Sequence, residues 1–346
     1  MMRAVIFDDP GSLRLGELPT PAPEAGEVRL KVLLAGICAT DVHIFHGHFP
    51  VLPPRVLGHE LAGVVEAVGP GVSPDWLGKT CGVRPARFCG ACPACRRGFP
   101  ELCSHFQCLG NTQDGAYAEQ TIVSADQLVC LPGVRPEALV WLEPLACVLH
   151  AFDACQAYRS DTLLILGAGV LGRLMVQALH VSSSARLAVM DPNPEKVERA
   201  VQLGAETGWL VPRSGAAPHL AQKLLGWAPD GVQVVIDTTG DPQAIGRALD
   251  YAGPGGRVLL FGVSDPSAEL TVRPEIIFSK ELTLLAASGM TPASFDAAVD
   301  LLGSGRLDPT GHVSEVIPLE QVPAVLQDRS SFKAGKVLVR PDGEMS

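Results

Sequence analysis

One stretch of fifteen residues constrains this chain more than any other: Cys89-Gly-Ala-Cys92-Pro-Ala-Cys95-Arg-Arg-Gly-Phe-Pro-Glu-Leu-Cys103. Its four thiols, spaced C-x2-C-x2-C-x7-C, can close on a single small cation. Zinc takes four thiolates in a tetrahedron at about 2.3 Å each, and a Cys-x-x-Cys step brings neighbouring sulfurs to that separation. Gly90, Pro93 and Gly98 supply the turns. Four protein ligands leave no position for water or substrate, so the expected zinc is structural and ties down a lobe. The alternatives are free core cysteines or a disulfide knot. Disulfide frameworks belong to small secreted chains, and this one has 346 residues.

All ten cysteines lie at or before Cys155. A metal-rich N-terminal part followed by a metal-free part is the simplest reading, and a soft unit of ~150 residues per domain allows two. The first part reads as short strands at 3–7, 27–35, 63–68 and 121–123, with prolines at 19, 21, 23, 53 and 54 punctuating the loops. From about Ala151 the texture changes. Apolar runs of strand length at 162–166, 187–190, 232–236, 258–261 and 282–286 alternate with helical stretches such as 171–180 and 194–203. Alternation of that kind predicts a parallel sheet covered on both faces. A helix at 294–302 and a strand at 336–340 follow, the strand expected to return to the first domain.

Composition excludes some partners. The formal net charge of −10 argues against nucleic acid. No run reaches the ~18 apolar residues of a membrane span, so no membrane partner is expected. The first ten residues carry acids where a secretory leader has its apolar region. Cytoplasm is the expected compartment.

The strand at 162–166 runs into Gly167-Ala-Gly169-Val170-Leu171-Gly172 and then a helix. Gly167 permits a tight turn, Gly169 lets backbone approach a pyrophosphate, and Gly172 lets helix and strand pack closely. The helix start at Val170 and Leu171 faces the anion. Asp191 ends the next strand, nineteen residues past Gly172. There a carboxylate accepts hydrogen bonds from an adenosine ribose and repels a 2′-phosphate, which favours NAD over NADP.

Gly36-Ile-Cys38-Ala-Thr40-Asp41-Val-His43 and Leu57-Gly58-His59-Glu60 form another group. Cys38 and His59 suit zinc, and Glu60 and the distant Glu143 offer oxygens. A catalytic zinc needs three protein ligands and an open position. These residues could supply them, or could equally be a buried cysteine, a core histidine and surface acids.

Taken in order, Cys-x-Thr-Asp-x-His, Gly-His-Glu-x-x-Gly-x-Val-x-x-Val-Gly over 58–69, the four-cysteine lobe and GxGxxG resemble the zinc-dependent medium-chain alcohol dehydrogenases. Glu143-Pro-Leu resembles the polyol branch, which includes sorbitol, galactitol-phosphate and threonine dehydrogenases. The resemblance implies a GroES-like irregular β-barrel catalytic domain at 1–148, a Rossmann NAD-binding domain at 149–288 and a C-terminal return at 289–346. It implies two zinc ions per chain and NAD. Cys38, His59 and Glu60 would hold the catalytic zinc, with Glu143 bound directly or through water, and Cys89, Cys92, Cys95 and Cys103 the structural one. Thr40 would take the alcohol proton and pass it through the nicotinamide ribose to His43 at the surface. Thr239, Gly262 and Val263 would touch the cofactor.

The reading is therefore a zinc-dependent oxidoreductase moving hydride from a secondary alcohol, a polyol or related small hydroxy compound, to NAD. A homotetramer or dimer is the family expectation. The alternatives are an L-threonine or amino-alcohol dehydrogenase, or an inactive zinc- and NAD-binding relative. A zinc-free quinone reductase is disfavoured by Cys38, His59 and Glu60. A nucleic-acid-binding zinc ribbon needs distant paired knuckles and a basic surface. Two departures bear on substrate: 287–290 is Ala-Ser-Gly-Met where polyol dehydrogenases often carry arginine, and 44–52 lacks the tryptophan-bearing loop of threonine dehydrogenases. Cys81, Cys108, Cys130, Cys147 and Cys155 read as small core residues.

Overall fold

The structure is a computed structural model and describes residues 1–158, 160–212, 218–328 and 334–343. The chain divides into two compact units, Met1–Ala146 with Thr291–Ser346, and Cys147–Met290.

In the first unit the long strand Glu27–Gly36 is the hub. Alternate residues Val28, Leu30, Val32 and Leu34 are all buried, as period-two side-chain alternation requires. The strand pairs antiparallel with Glu60–Val68 along one edge. Along the other it pairs with Gln120–Ser124 and then with the C-terminal strand Lys336–Arg340. That last pairing brings the end of the chain back into the first unit. Gly36 consequently has Glu60 opposite it on one side and Leu338 on the other. One row across the sheet thus joins parts of the chain nearly 280 positions apart. Met2–Asp9 pairs separately with Ser12–Leu18 and Arg55–Val56.

A disulfide joins Cys81 and Cys130, which corrects the expectation of free core thiols. The cause is register: Val83 opposes Leu128 and Gly82 opposes Val129, so the next pair across the two strands is Cys81 and Cys130. Of the others, Cys155 is buried, while Cys108 and Cys147 are half-buried.

The second unit is a six-stranded, all-parallel sheet. Its order is Thr207–Leu210, Arg186–Asp191, Thr162–Leu166, Val232–Asp237, Ala252–Leu260, Thr283–Ala286. In chain order this is 3-2-1-4-5-6, the doubly wound order whose direction reverses between the first and fourth strands. Strand Thr162–Leu166 is buried throughout, as a central parallel strand covered on both faces should be. The helices Pro218–Trp227 and Pro242–Tyr251 fall between expected strands, and the short strand Thr207–Leu210 is one the sequence reading did not name. No helix among the described residues is long and apolar enough to cross a membrane.

Candidate active site and metal centres

The four thiols of Cys89, Cys92, Cys95 and Cys103 lie within 4.8 Å of one another. Backbone amides converge on the sulfurs: Ala91 and Cys92 donate to Cys89 Sγ at 3.4 and 3.3 Å, and Cys89 and His105 donate to Cys103 Sγ at 3.3 Å. Amides of Cys95 and Ser104 draw the Cys92 thiol down to about 5, while burial and the neighbouring thiols push Cys95 up to about 12. Four sulfurs so close cannot all ionise without a cation between them. The donor set fits zinc.

The second cluster is assembled from separate elements. Cys38 is the N-cap of the helix Ala39–Phe45: its Sγ accepts from Thr40 N at 3.5 Å, and Asp41 closes a capping box by accepting from Cys38 N at 2.9 Å. His59 follows Gly58, whose φ is +94° and whose missing Cβ would collide with the Tyr117 ring. Only glycine allows both. Glu60 opens the next strand and is 1 % exposed. Cys38, His59 and Glu60 present one sulfur, one nitrogen and one oxygen within 4.8 Å. Thr40 Oγ1 is 3.5 Å from Cys38 Sγ. Glu143, in the first turn of the helix Leu142–Ala154, lies outside that tight trio, yet its charge bears on His59, Glu60 and Lys336.

Three residues that the sequence reading gave no role complete the surroundings. Asp41 is wholly buried; its Oδ2 accepts from Tyr117 OH at 2.7 Å, and its Oδ1 lies 3.8 Å from His59 Nδ1. That distance is too long for a hydrogen bond, so the carboxylate acts on the imidazole through its charge and raises its basicity. Lys336 Nζ donates to Glu60 Oε1 at 2.5 Å. Burial alone would lower the His59 pKa, but Cys38, Asp41 and Glu143 outweigh it and hold His59 well above the usual range. Burial raises Glu60 and Lys336 limits that rise, while Glu143 adds to it. A buried nest of sulfur, nitrogen and carboxylate donors fits a divalent cation, which compensates charges that burial otherwise penalises.

His43 corrects an expectation. Placed at the surface by the resemblance, it is only 6 % exposed on the inner side of the helix Ala39–Phe45. The exposed ring nearby is His48, with centroids 5.8 Å apart.

In the second unit the expected cofactor residues gather at the carboxyl ends of the strands. Gly167 has φ +97°, and a Cβ on Gly172 would overlap the Gly167 carbonyl; Gly169 opens onto free space. Gly169 caps the helix Val170–Ser182, so Val170 and Leu171 form its first turn. Asp191 accepts from Ala168 N and Asn193 N at 2.8 Å, one on each oxygen. Each oxygen retains a lone pair for a ribose hydroxyl. Thr239 is fixed on the buried Asp237, Gly262 packs against the amides of Thr239 and Gly240, and Val263 is 60 % exposed. The glycine loop is a cradle that fits a dinucleotide pyrophosphate.

Fold and sites together describe an oxidoreductase with a zinc-binding unit and a dinucleotide-binding unit. Residues 24–133 match the alcohol dehydrogenase GroES-like domain and residues 170–304 the zinc-binding dehydrogenase domain. The chain is 33 % identical to 2-dehydro-3-deoxy-L-galactonate 5-dehydrogenase of Pseudoalteromonas atlantica, over 93 % of this chain and 94 % of the relative. A zinc-binding dehydrogenase from Sinorhizobium meliloti with NADP bound superposes at TM-score 0.90, with 30 % identity over 99 % of both chains. The rspB alcohol dehydrogenase of Escherichia coli CFT073 with NADH superposes at 0.87, with 30 % identity over 98 % of this chain and 99 % of that one. This protein belongs to the zinc-dependent alcohol dehydrogenase family. It is a zinc-binding dehydrogenase.

Proposed function

We propose that the chain oxidises a secondary hydroxyl of a polyol or related small polyhydroxy compound. The observation that carries the reading is the Cys38, His59 and Glu60 cluster backed by buried Asp41. The relative named for 2-dehydro-3-deoxy-L-galactonate supports a polyhydroxy substrate. When bound, zinc would polarise the alcohol oxygen and NAD would accept the hydride.

The residues of the chain then divide the work. Cys38 and His59 would hold the metal with Glu60, and Glu143, whose charge reaches His59 and Glu60, would join the site directly or through a water. Asp41 sets a negative charge beside His59. Thr40, beside Cys38, accepts the substrate proton, and His43 is the terminal acceptor, a role suited to a side chain that titrates near neutrality. Gly167, Gly169, Val170, Leu171 and Gly172 cradle the pyrophosphate, Asp191 holds the ribose, and Thr239, Gly262 and Val263 line the cofactor. Cys89, Cys92, Cys95 and Cys103 hold the structural zinc.

We further read the protein as a cytoplasmic homo-oligomer, tetramer or dimer. The edge strand Thr283–Ala286 exposes Leu284, and Phe278 is 86 % exposed, which supports contact with a second copy.

The test is NAD reduction across polyols, sugar acids, simple secondary alcohols and threonine, each beside a chelator-treated control. Chelator-sensitive turnover on a polyhydroxy compound is expected. Turnover confined to threonine would overturn the substrate class, and turnover indifferent to chelator would overturn the metal assignment.

A further inference from the structure

The carboxylate of Glu60 stands between a cluster of metal-ligating atoms and a buried ammonium. One side belongs to the donor cluster with Cys38 and His59. The other meets the ammonium of Lys336, in contact with both oxygens. Lys336 is 5 % exposed, and Glu60 is more deeply buried still. The ammonium also lies 5.6 Å over the Trp141 ring, which adds a cation–π contact.

The sheet is built to allow this pairing. Glu60, Gly36 and Leu338 are consecutive across three strands. Lys336, two residues from Leu338, emerges on the same face. Its side chain reaches Glu60 across the place where Gly36 has no side chain; a Cβ there would overlap the Glu60 carboxylate and crowd Lys336 Cε. Lysine stems bury well, but a fully buried ammonium needs a partner. Glu60 is the partner the structure provides.

We propose that Lys336 is a positioning residue that competes with the metal for Glu60. By drawing the carboxylate charge toward itself, it weakens donation to the metal and keeps one coordination position exchangeable. The inference rests on the proposed catalytic metal at Cys38 and His59, and deepens it. A unit charge removed from a few ångströms away in a poorly screened interior changes cation retention substantially.

The experiment uses the zinc-loaded protein and times metal release to a chromogenic chelator for wild type, Lys336→Met and Lys336→Arg. Lys336→Met should release the metal held by Cys38 and His59 about tenfold or more slowly, because Glu60 then serves the metal alone. Lys336→Arg should release it as wild type does, and release from the four-cysteine lobe should be the same in all three. After cobalt exchange, the visible bands of Lys336→Met should shift while those of Lys336→Arg match wild type. That spectral change would not come from a merely structural lysine. Release from Lys336→Met at the wild-type rate or faster overturns the proposal. Lys336→Gln runs in parallel in case the methionine variant does not fold. Should neutral variants fold only when Glu60→Gln accompanies them, the pair is a structural brace and the proposal falls. Wild-type protein with a single zinc per chain would instead refute the catalytic metal itself, so the two failures are distinguishable.

Discussion

The two metal clusters of the first unit differ in how their residues are brought together. The four-cysteine lobe is confined to residues 89–103, and its sulfurs are held mainly by backbone amides of the same loop. The Cys38 cluster takes its ligands from a helix cap and the start of a strand, its brace from Asp41 and Tyr117, and its counter-charge from Lys336. The lobe has four like donors. The other mixes sulfur, nitrogen and oxygen in a buried setting with both signs of charge. Saturated, uniform ligation suits a fastener, and mixed ligation with an exchangeable position suits chemistry.

Exchange of one cysteine in each cluster tests that division. Cys38→Ser should lower kcat/KM by about a thousandfold, equivalent to ~4 kcal/mol of transition-state stabilisation, with zinc content falling from two to one. The melting curve should barely move. Activity retained with one zinc lost would reverse the assignment of the two clusters. Cys92→Ser should give the mirror image. Here one zinc is also lost, but the melting temperature drops by roughly 10 °C, because structural zinc contributes directly to folding. Turnover per folded molecule should stay close to wild type, and light scattering should register any dispersal of the oligomer. An unchanged melting curve would count against the fastener.

The same contrast explains which features are legible in the sequence. A lobe closed within fifteen residues is legible because its ligand spacing is a local property of the chain. So is the strand–glycine loop–helix unit: Thr162–Leu166 coincides with the expected strand, and the helix Val170–Ser182 spans the expected 171–180. Lys336 opens a strand whose middle is apolar, and nothing in the nearby sequence points to Glu60; the register through Gly36 joins them. Asp41 was in view inside the Cys-x-Thr-Asp motif, but its contact with Tyr117 spans 76 positions. The Cys81–Cys130 bridge was hidden for the same reason, since strand register is not a local quantity. Burial of His43 follows from the face that the helix Ala39–Phe45 turns inward, and seven residues are too few for a periodic signal.

Asp41→Asn is the finest probe of the contrast, because it changes a residue that touches no metal in either reading. The substitution keeps the shape of the side chain, so Tyr117 OH and Cys38 N can still donate to its remaining carbonyl oxygen. What it removes is the negative charge 3.8 Å from His59 Nδ1. Loss of a carboxylate behind a ligating imidazole typically weakens metal binding by about 10–100-fold. The expected result is therefore faster zinc release from the Cys38 cluster, unchanged release from the lobe, and a melting temperature within about 3 °C of wild type. Equal loss from both clusters would mean that Asp41 supports the unit as a whole. Unchanged release from both would remove it from the site.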